Sequence, residues 1–326
     1  MFPFLVADIG GTNARFALVM QPSNGAQPEL CHLKIMPGVE FPTFSSALNA
    51  YLSALECENP TSACIAIASP IDGDRIEMTH LPWSFSIDEI KQCFGFKYCE
   101  VMNDFNAVAL GVSELTDNDI DVIKTGAAHD CEPKAIIGPG TGLGVSGLTY
   151  CRESELWLPI SGLGGHINLA ATTSYECDLI RTAMDDLDHV SAELMISGTG
   201  MGNLYAAVCR VAGQPPRVLS SAEITSNALS GADVNCVKTL ECFCSFLGGV
   251  AGNLALTFGA RGGVYIAGGI VPRFISFLKE SAFVDRFGHK GVMSEYVKNI
   301  PISVITNTHV GLIGAAVWIE RKYAES

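Results

Sequence analysis

The chain of 326 residues is long enough for two domains and a sizeable core. With 48% apolar and 17% charged residues it reads as a folded protein without disordered tracts, and its net charge of −14 argues against nucleic acid or an anionic membrane as partner. An anionic substrate would have to be held by backbone dipoles, helix N-termini and metal ions rather than by a basic surface. The 12 cysteines include no C-x-x-C pair and no zinc-like spacing, which suits reduced thiols in a cytoplasmic protein. No window approaches the roughly 18 uninterrupted apolar residues of a membrane span, and the N-terminus lacks the basic region of a signal peptide.

The first element is a hairpin, Phe4-Leu-Val-Ala-Asp8-Ile-Gly10-Gly11-Thr12-Asn13-Ala-Arg15-Phe-Ala-Leu-Val19, in which β-forming residues run up to a glycine turn and away again. Glycine lets main-chain N–H groups approach a ligand, and turns of this kind form nests for anions. A third strand is expected over 30–35. Residues 43–56 read as a helix with Phe44, Leu48, Leu52 and Leu55 on one stripe. Residues 63–68 form a buried strand, 86–94 a short helix and 98–102 another strand, so the first part of the chain is an α/β domain. Asn103-Asp104-Phe105-Asn106 then leaves a strand end and enters a helix. Ligands in α/β sheets gather at the C-terminal ends of strands. The same residues are favoured helix caps, and this stretch alone favours the cap.

Residues 114–132 are polar and acidic and read as a connection between domains. A second glycine hairpin follows, Ala135-Ile-Ile-Gly138-Pro-Gly140-Thr141-Gly142-Leu-Gly144-Val-Ser-Gly147. It fits the dinucleotide fingerprint by letter, but the chain continues as strand where that motif requires a helix. No P-loop motif occurs. Either hairpin alone could be an ordinary turn; their repetition, with Asp8 in the first, points to phosphate binding by two lobes.

Leu158-Pro-Ile-Ser161-Gly-Leu163-Gly-Gly-His166 comes next. Residues 174–187 then read as an amphipathic helix with Tyr175, Leu179, Ala183, Met184 and Leu187 inward. Residues 189–200 suggest a short helix broken by glycine. The longest helical pattern is 234–258, where Gly248, Gly249, Ala251 and Gly252 imply close packing and Cys242 and Cys244 read as small core residues. A strand running into Gly268-Gly269 offers a third backbone approach to a ligand. A strand over 302–305 and a helix over 310–319 end the chain.

Taken as a set, Asp8-Ile-Gly-Gly-Thr-Asn-Ala-Arg15, Val101-Met-Asn103-Asp104-Phe105, Gly140-Thr-Gly-Leu-Gly144-Val, Gly164-Gly-His166, His189-Val-Ser-Ala-Glu193 and Ala267-Gly-Gly-Ile-Val-Pro-Arg-Phe274 resemble the proteobacterial glucokinases of the actin-like ATPase-domain sugar kinase superfamily. Order and spacing match over nearly the whole chain. The resemblance implies two actin-like (ribonuclease H-like) α/β domains flanking a deep active-site cleft. Residues 1–110 with 306–326 would form the smaller domain and 111–305 the larger, in a cytoplasmic homodimer.

It also implies phosphorylation of the 6-hydroxyl of glucose by ATP and Mg²⁺. By position, Asp104 would be the general base, and Asn103, Asp104, His166 and Glu193 would contact the sugar. Gly10, Gly11, Thr12 and Asn13 of the first turn, and Gly140, Thr141 and Gly142 of the second, would cradle phosphates. Asp8 would hold Mg²⁺ through water, and Gly268 and Gly269 would lie under the adenosine. Alone, His166 reads as a turn histidine and Glu193 as a solvated helix residue. The alternatives are a kinase of another hexose or amino sugar and a catalytically silent sugar-binding relative. A repressor is disfavoured by the acidic chain and by a start that reads directly as a strand.

One position departs from the family pattern. Leu163 stands where a sugar-contacting glutamate is expected three residues before the histidine. An unmade charged hydrogen bond costs about 1.5–3 kcal/mol, or roughly one to two decades of affinity. Leu163→Glu is therefore expected to lower the KM for glucose by up to that factor in steady-state assays; an unchanged KM would remove the position from the sugar site.

Overall fold

A computed structural model describes residues 2–23, 26–78 and 81–324. The chain packs as two compact units, one of Met1–Thr116, Trp157–Ser161 and Asn307–Ser326, the other of Asp117–Leu156 and Gly162–Thr306.

The first unit carries, in chain order, strands Phe4–Ile9 (β1), Asn13–Val19 (β2), Leu30–Pro37 (β3), Ser62–Ile67 (β4), Arg75–Glu77 (β5), Ser84–Ser86 (β6) and Tyr98–Asn103 (β7). Five make a sheet in the order β3-β2-β1-β4-β7, while β5 and β6 form a separate hairpin. The β1–β2 and β2–β3 pairs are antiparallel, and the β1–β4 and β4–β7 pairs are parallel. Every residue of β4 and all but Asp8 of β1 are buried, which explains their near-continuous apolar sequences. In register, Ile9 aligns with Ile67 and Ile67 with Asn103. Asp8 and Asn103-Asp104 therefore leave the same edge of the sheet with one strand between them, ~10 Å apart by strand spacing.

The helix expected over 43–56 is shorter, Phe44–Leu52, opened by a reciprocal Thr43–Ser46 capping box. It covers the sheet with an aromatic layer in which Phe44 stacks on Phe85 at 4.5 Å and Phe16 on Tyr51 at 5.1 Å between centroids. Helix Asp104–Val112, which begins at the end of β7, packs on the last helix, Val310–Ala324. A Cβ at Gly314 would overlap the Ala107 carbonyl, and one at Gly111 the Val310 carbonyl, so the two backbones touch because each helix contributes a glycine to the contact.

In the second unit, strands Ile120–Lys124 (β8), Lys134–Pro139 (β9) and Leu143–Cys151 (β10) come first. Strand Leu156–Ile160 (β11) follows in sequence, its residues from Trp157 on grouping with the first unit; Val264–Ile266 (β12) and Ile302–Ile305 (β13) come last. The sheet of this unit includes the run β10-β9-β12-β13-β8. The parallel strands β9, β12 and β13 are flanked by antiparallel β10 and β8. Residues 114–132 are thus more than a connection. Their central strand pairs with β13 and packs Ile123 on the core, a signal hidden by the acidic residues around it.

Helix Val234–Phe258 runs its expected length, from an Asp233 cap to Gly259 in the left-handed region. It is long and apolar enough to cross a membrane by composition, yet 72% of its apolar window is buried, as in a core helix. Cys236, Cys242 and Cys244 are buried on it, and Gly248 and Gly252 admit the carbonyls of Phe283 and Phe287.

Helix Ser174–Ala183 corrects one inward assignment. Met184, at its C-cap, is 60% exposed, whereas Glu176 is buried. The carboxylate accepts hydrogen bonds from Thr172 N at 2.8 Å, Arg286 Nη2 at 3.0 Å and Ser245 Oγ at 3.2 Å. Such pairing lets a charge sit inside.

Gly314→Ala should destabilise the first unit by about 1–3 kcal/mol through overpacking. Trp83, Trp157 and Trp318 all belong to that unit, so denaturant unfolding followed by tryptophan fluorescence reads it directly. An unchanged midpoint would contradict the close helix contact.

Candidate active site

In the first unit the glycine turn is closed by Gly10 N–H donating to the Asn13 carbonyl at 3.0 Å, and Gly38 N–H donates to the Thr12 carbonyl at 2.8 Å. Asp8 and Arg15 are directly opposed across the β1–β2 ladder, and Arg15 Nη1 donates to Asp8 Oδ2 at 3.1 Å. Burial raises the Asp8 carboxyl above its usual range, against the pull of Arg15 and of His309 nearby. Gly311 brings the start of the last helix alongside the same carboxylate. Arg15 carried no assigned role in the sequence reading, although the register of the hairpin would have found it.

Asn103 caps helix Asp104–Val112, its Oδ1 accepting from Phe105 N at 3.0 Å and Asn106 N at 3.3 Å. The cap reading of this residue is correct, and the amide N–H side of the same group hydrogen-bonds the Asp104 carboxylate. Asp104 Oδ1 accepts from Phe105 N at 2.9 Å. Burial, reinforced by the charge of Asp8, pushes the Asp104 carboxyl up to about 7 despite these hydrogen bonds. Neighbouring Asn106 donates through Nδ2 to Ser161 Oγ at 2.6 Å.

In the second unit the turn Gly140-Thr141-Gly142 joins β9 to β10, with Gly140 N–H donating to the Gly142 carbonyl at 2.8 Å. Gly268, at φ +83°, lies against the Pro139 carbonyl, where any Cβ would clash, so the double glycine adjoins this turn. His166 ends a short turn, Gly164–His166, with its side chain 59% exposed.

Residues 189–200 do not form the expected short helix; a helix begins only at Gly200. The chain instead pairs with the segment on either side of His166. Ala192 N–H donates to the Ile167 carbonyl, Glu193 N–H to the Gly165 carbonyl, and Leu169 N–H to the Val190 carbonyl. Those bonds compete with helix formation and bring Glu193 beside His166, Oε1 to Nδ1 being 3.6 Å. Glu193 Oε2 accepts from Leu143 N at 2.8 Å. Glu193 is therefore not a solvated helix residue but a link from the histidine to the glycine turn. Leu163 begins the same turn, its carbonyl accepting from His166 N–H at 3.0 Å, and its 64% exposed side chain has no acceptor to offer.

The structure thus gathers Asp8, Gly10, Gly11, Thr12, Asn13, Asn103 and Asp104 at one edge of the first unit. Gly140, Thr141, Gly142, His166, Glu193, Gly268 and Gly269 gather around one turn of the second. Among the described residues there is no cluster of three or more metal-ligating side chains. A lone Asp8 fits Mg²⁺, which commonly takes one or two carboxylates, waters and substrate phosphates rather than a protein cage.

Glycine turns with backbone N–H groups to offer, and amide, imidazole and carboxylate side chains in the two units, are the chemistry that a sugar kinase of the actin-like ATPase fold requires. A glucokinase from an Antarctic psychrotroph has the same fold, with a TM-score of 0.89 at 40% identity, covering 98% of this chain and 100% of that one. A glucokinase of the ROK family from Streptomyces griseus, solved with glucose and AMPPNP, shares the fold at a TM-score of 0.66 and 18% identity, covering 97% and 99%. The glucokinase of Saccharophagus degradans is 49% identical over 98% of this chain and 99% of its own. The Glucokinase family model matches residues 5–322, and the chain belongs to the glucokinase family.

The raised Asp104 pKa carries two consequences. A carboxyl whose folded pKa lies above its unfolded value of 3.8 contributes stability fully present below that value and lost as pH rises through about 7. A base in this position must also ionise to work. The acid limb of kcat/KM for the sugar is therefore expected to titrate near 7. A limb near 4 would show that the carboxyl is not held up by its surroundings.

Proposed function

We propose that this glucokinase transfers the terminal phosphoryl group of ATP to the 6-hydroxyl of glucose, with Asp104 as the general base. The observation that carries the role of Asp104 is its half-buried carboxyl at a strand end, held near 7 and capped in place at the start of a helix. A base with a pKa near the working pH combines adequate ionisation with adequate basicity. Asp104 would accept the hydroxyl proton as the oxygen attacks the phosphorus and the bond to the ADP oxygen breaks.

Phosphoryl transfer asks a protein mainly for positioning and charge neutralisation. Asn103 Nδ2, His166 and Glu193 would hydrogen-bond sugar hydroxyls, while the N–H groups of residues 10–13 and 140–142 would hold the phosphates. Gly268 and Gly269 would admit the adenosine against backbone. Mg²⁺, anchored by Asp8 through water, would supply further neutralisation of the phosphate charge. The acidic chain contains no P-loop lysine, so backbone groups carry much of this work. We further propose a cytoplasmic homodimer without nucleic-acid or membrane partners.

Leu163 supports one second reading, a preference for another hexose or amino sugar that does not require an acceptor at that position. ADP release with Mg²⁺-ATP over glucose, mannose, fructose, glucosamine and N-acetylmannosamine separates the two, since glucose should lead if Leu163 is tolerated. Asp104→Asn should lower kcat by about 10²–10⁴-fold with the fold retained by circular dichroism. Near-normal turnover would remove Asp104 from the role of base.

A further inference from the structure

The segment Ser197-Gly198-Thr199-Gly200 lies directly on the Gly140-Thr141-Gly142 turn, and its side chains have no part in the roles assigned so far. Gly198 N–H donates to the Gly140 carbonyl at 2.7 Å. Thr199 Oγ1 donates to the Thr141 carbonyl at 3.1 Å, and Thr199 N–H approaches the same oxygen at 3.4 Å. The Thr199 hydroxyl has its own support. Ser197 Oγ lies 3.1 Å from it, and Gly200 N–H donates to Ser197 Oγ at 2.9 Å. With Thr199 donating to the carbonyl, the donors run in one direction, from Gly200 N–H through the Ser197 hydroxyl and the Thr199 hydroxyl to the Thr141 oxygen. Hydrogen bonds aligned in this way reinforce one another.

This anchoring decides where the turn's donors point. In a trans peptide the carbonyl and the following N–H face opposite sides of the chain. The carbonyls of Gly140 and Thr141 are both held by segment 197–200, so the N–H groups of Thr141 and Gly142 both face away from it. Two successive N–H groups on one side of a turn make an anion nest. The N-terminal end of helix Gly200–Val211 is meanwhile occupied by this network, its first N–H going to Ser197 Oγ.

We propose that Thr199 is a positioning residue for the nucleotide phosphates: its hydroxyl fixes the Thr141 carbonyl and thereby aims the Thr141 and Gly142 N–H groups at the phosphate oxygens. The inference rests on the kinase reading and extends it to a segment that reading does not use. Thr199 is exposed, so replacing its hydroxyl by a methyl leaves the packing of the unit intact.

The test compares wild type, Thr199→Val and Thr199→Ser by isothermal titration with Mg²⁺-AMPPNP and, separately, with glucose. Thr199→Val should weaken nucleotide binding about two- to tenfold, the worth of one net hydrogen bond, and leave glucose binding unchanged. Thr199→Ser should restore the wild-type value, and the KM for ATP should move more than kcat. Ser197→Ala, which removes the group behind Thr199, should produce the same selective loss. The proposal fails if Thr199→Val binds nucleotide normally, if serine does not rescue, or if both ligands weaken together with a lowered melting temperature. A wild-type protein that binds neither ligand would instead overturn the kinase reading itself.

Discussion

The parallel register of β1, β4 and β7 is the constraint on which the first unit's chemistry depends. It delivers Asp8 and Asp104 to the same sheet edge, one strand apart, where neither carboxylate is fully solvated. Burial alone would raise both pKa values. Arg15 opposes that rise at Asp8, whereas at Asp104 the charge of Asp8 adds to it. The same chemical group thus meets two environments: Asp8 sits against the Arg15 guanidinium, while Asp104 is held near 7 with no cation beside it, among the described residues, to offset burial.

Helix packing holds that edge in place. Asp104 is the first residue of a helix whose backbone touches the last helix at Gly111 and Gly314, and the start of that last helix lies alongside Asp8. Close backbone contact leaves little room for the elements to shift, so positions of functional groups are set by packing rather than by loop conformation. Asn103 adds a local restraint. Its amide oxygen is consumed by the cap, and its side chain also hydrogen-bonds the Asp104 carboxylate, so it fixes both the helix start and the carboxyl.

In the second unit the equivalent work is done by hydrogen bonds to one turn. Glu193 holds Leu143 N–H on one side, and Gly198 and Thr199 hold the Gly140 and Thr141 carbonyls on the other. One short stretch, 193–200, therefore touches both the histidine suited to the sugar and the turn suited to phosphate. Leu163, exposed in the turn that ends at His166, is the position where this chain's residues depart from the expected pattern, and it interrupts the polar groups around it.

Local sequence determined the two glycine hairpins, the strand-to-helix junction at Asn103-Asp104 and the long core helix, because periodicity, caps and turn residues act within a few positions. Arg15 was legible too, through hairpin register. The tertiary structure alone decided the rest. Glu176 reads as a surface residue until Arg286, 110 positions later, pairs with it. Residues 189–200 read as a helix until their backbone groups are claimed by 165–169, and Thr199 gains its meaning from a carbonyl 58 residues earlier. These contacts join groups that each satisfy a local rule in isolation. Which partner a hydrogen-bonding group finds across such distances depends on how the intervening chain packs, and no short-range pattern records it.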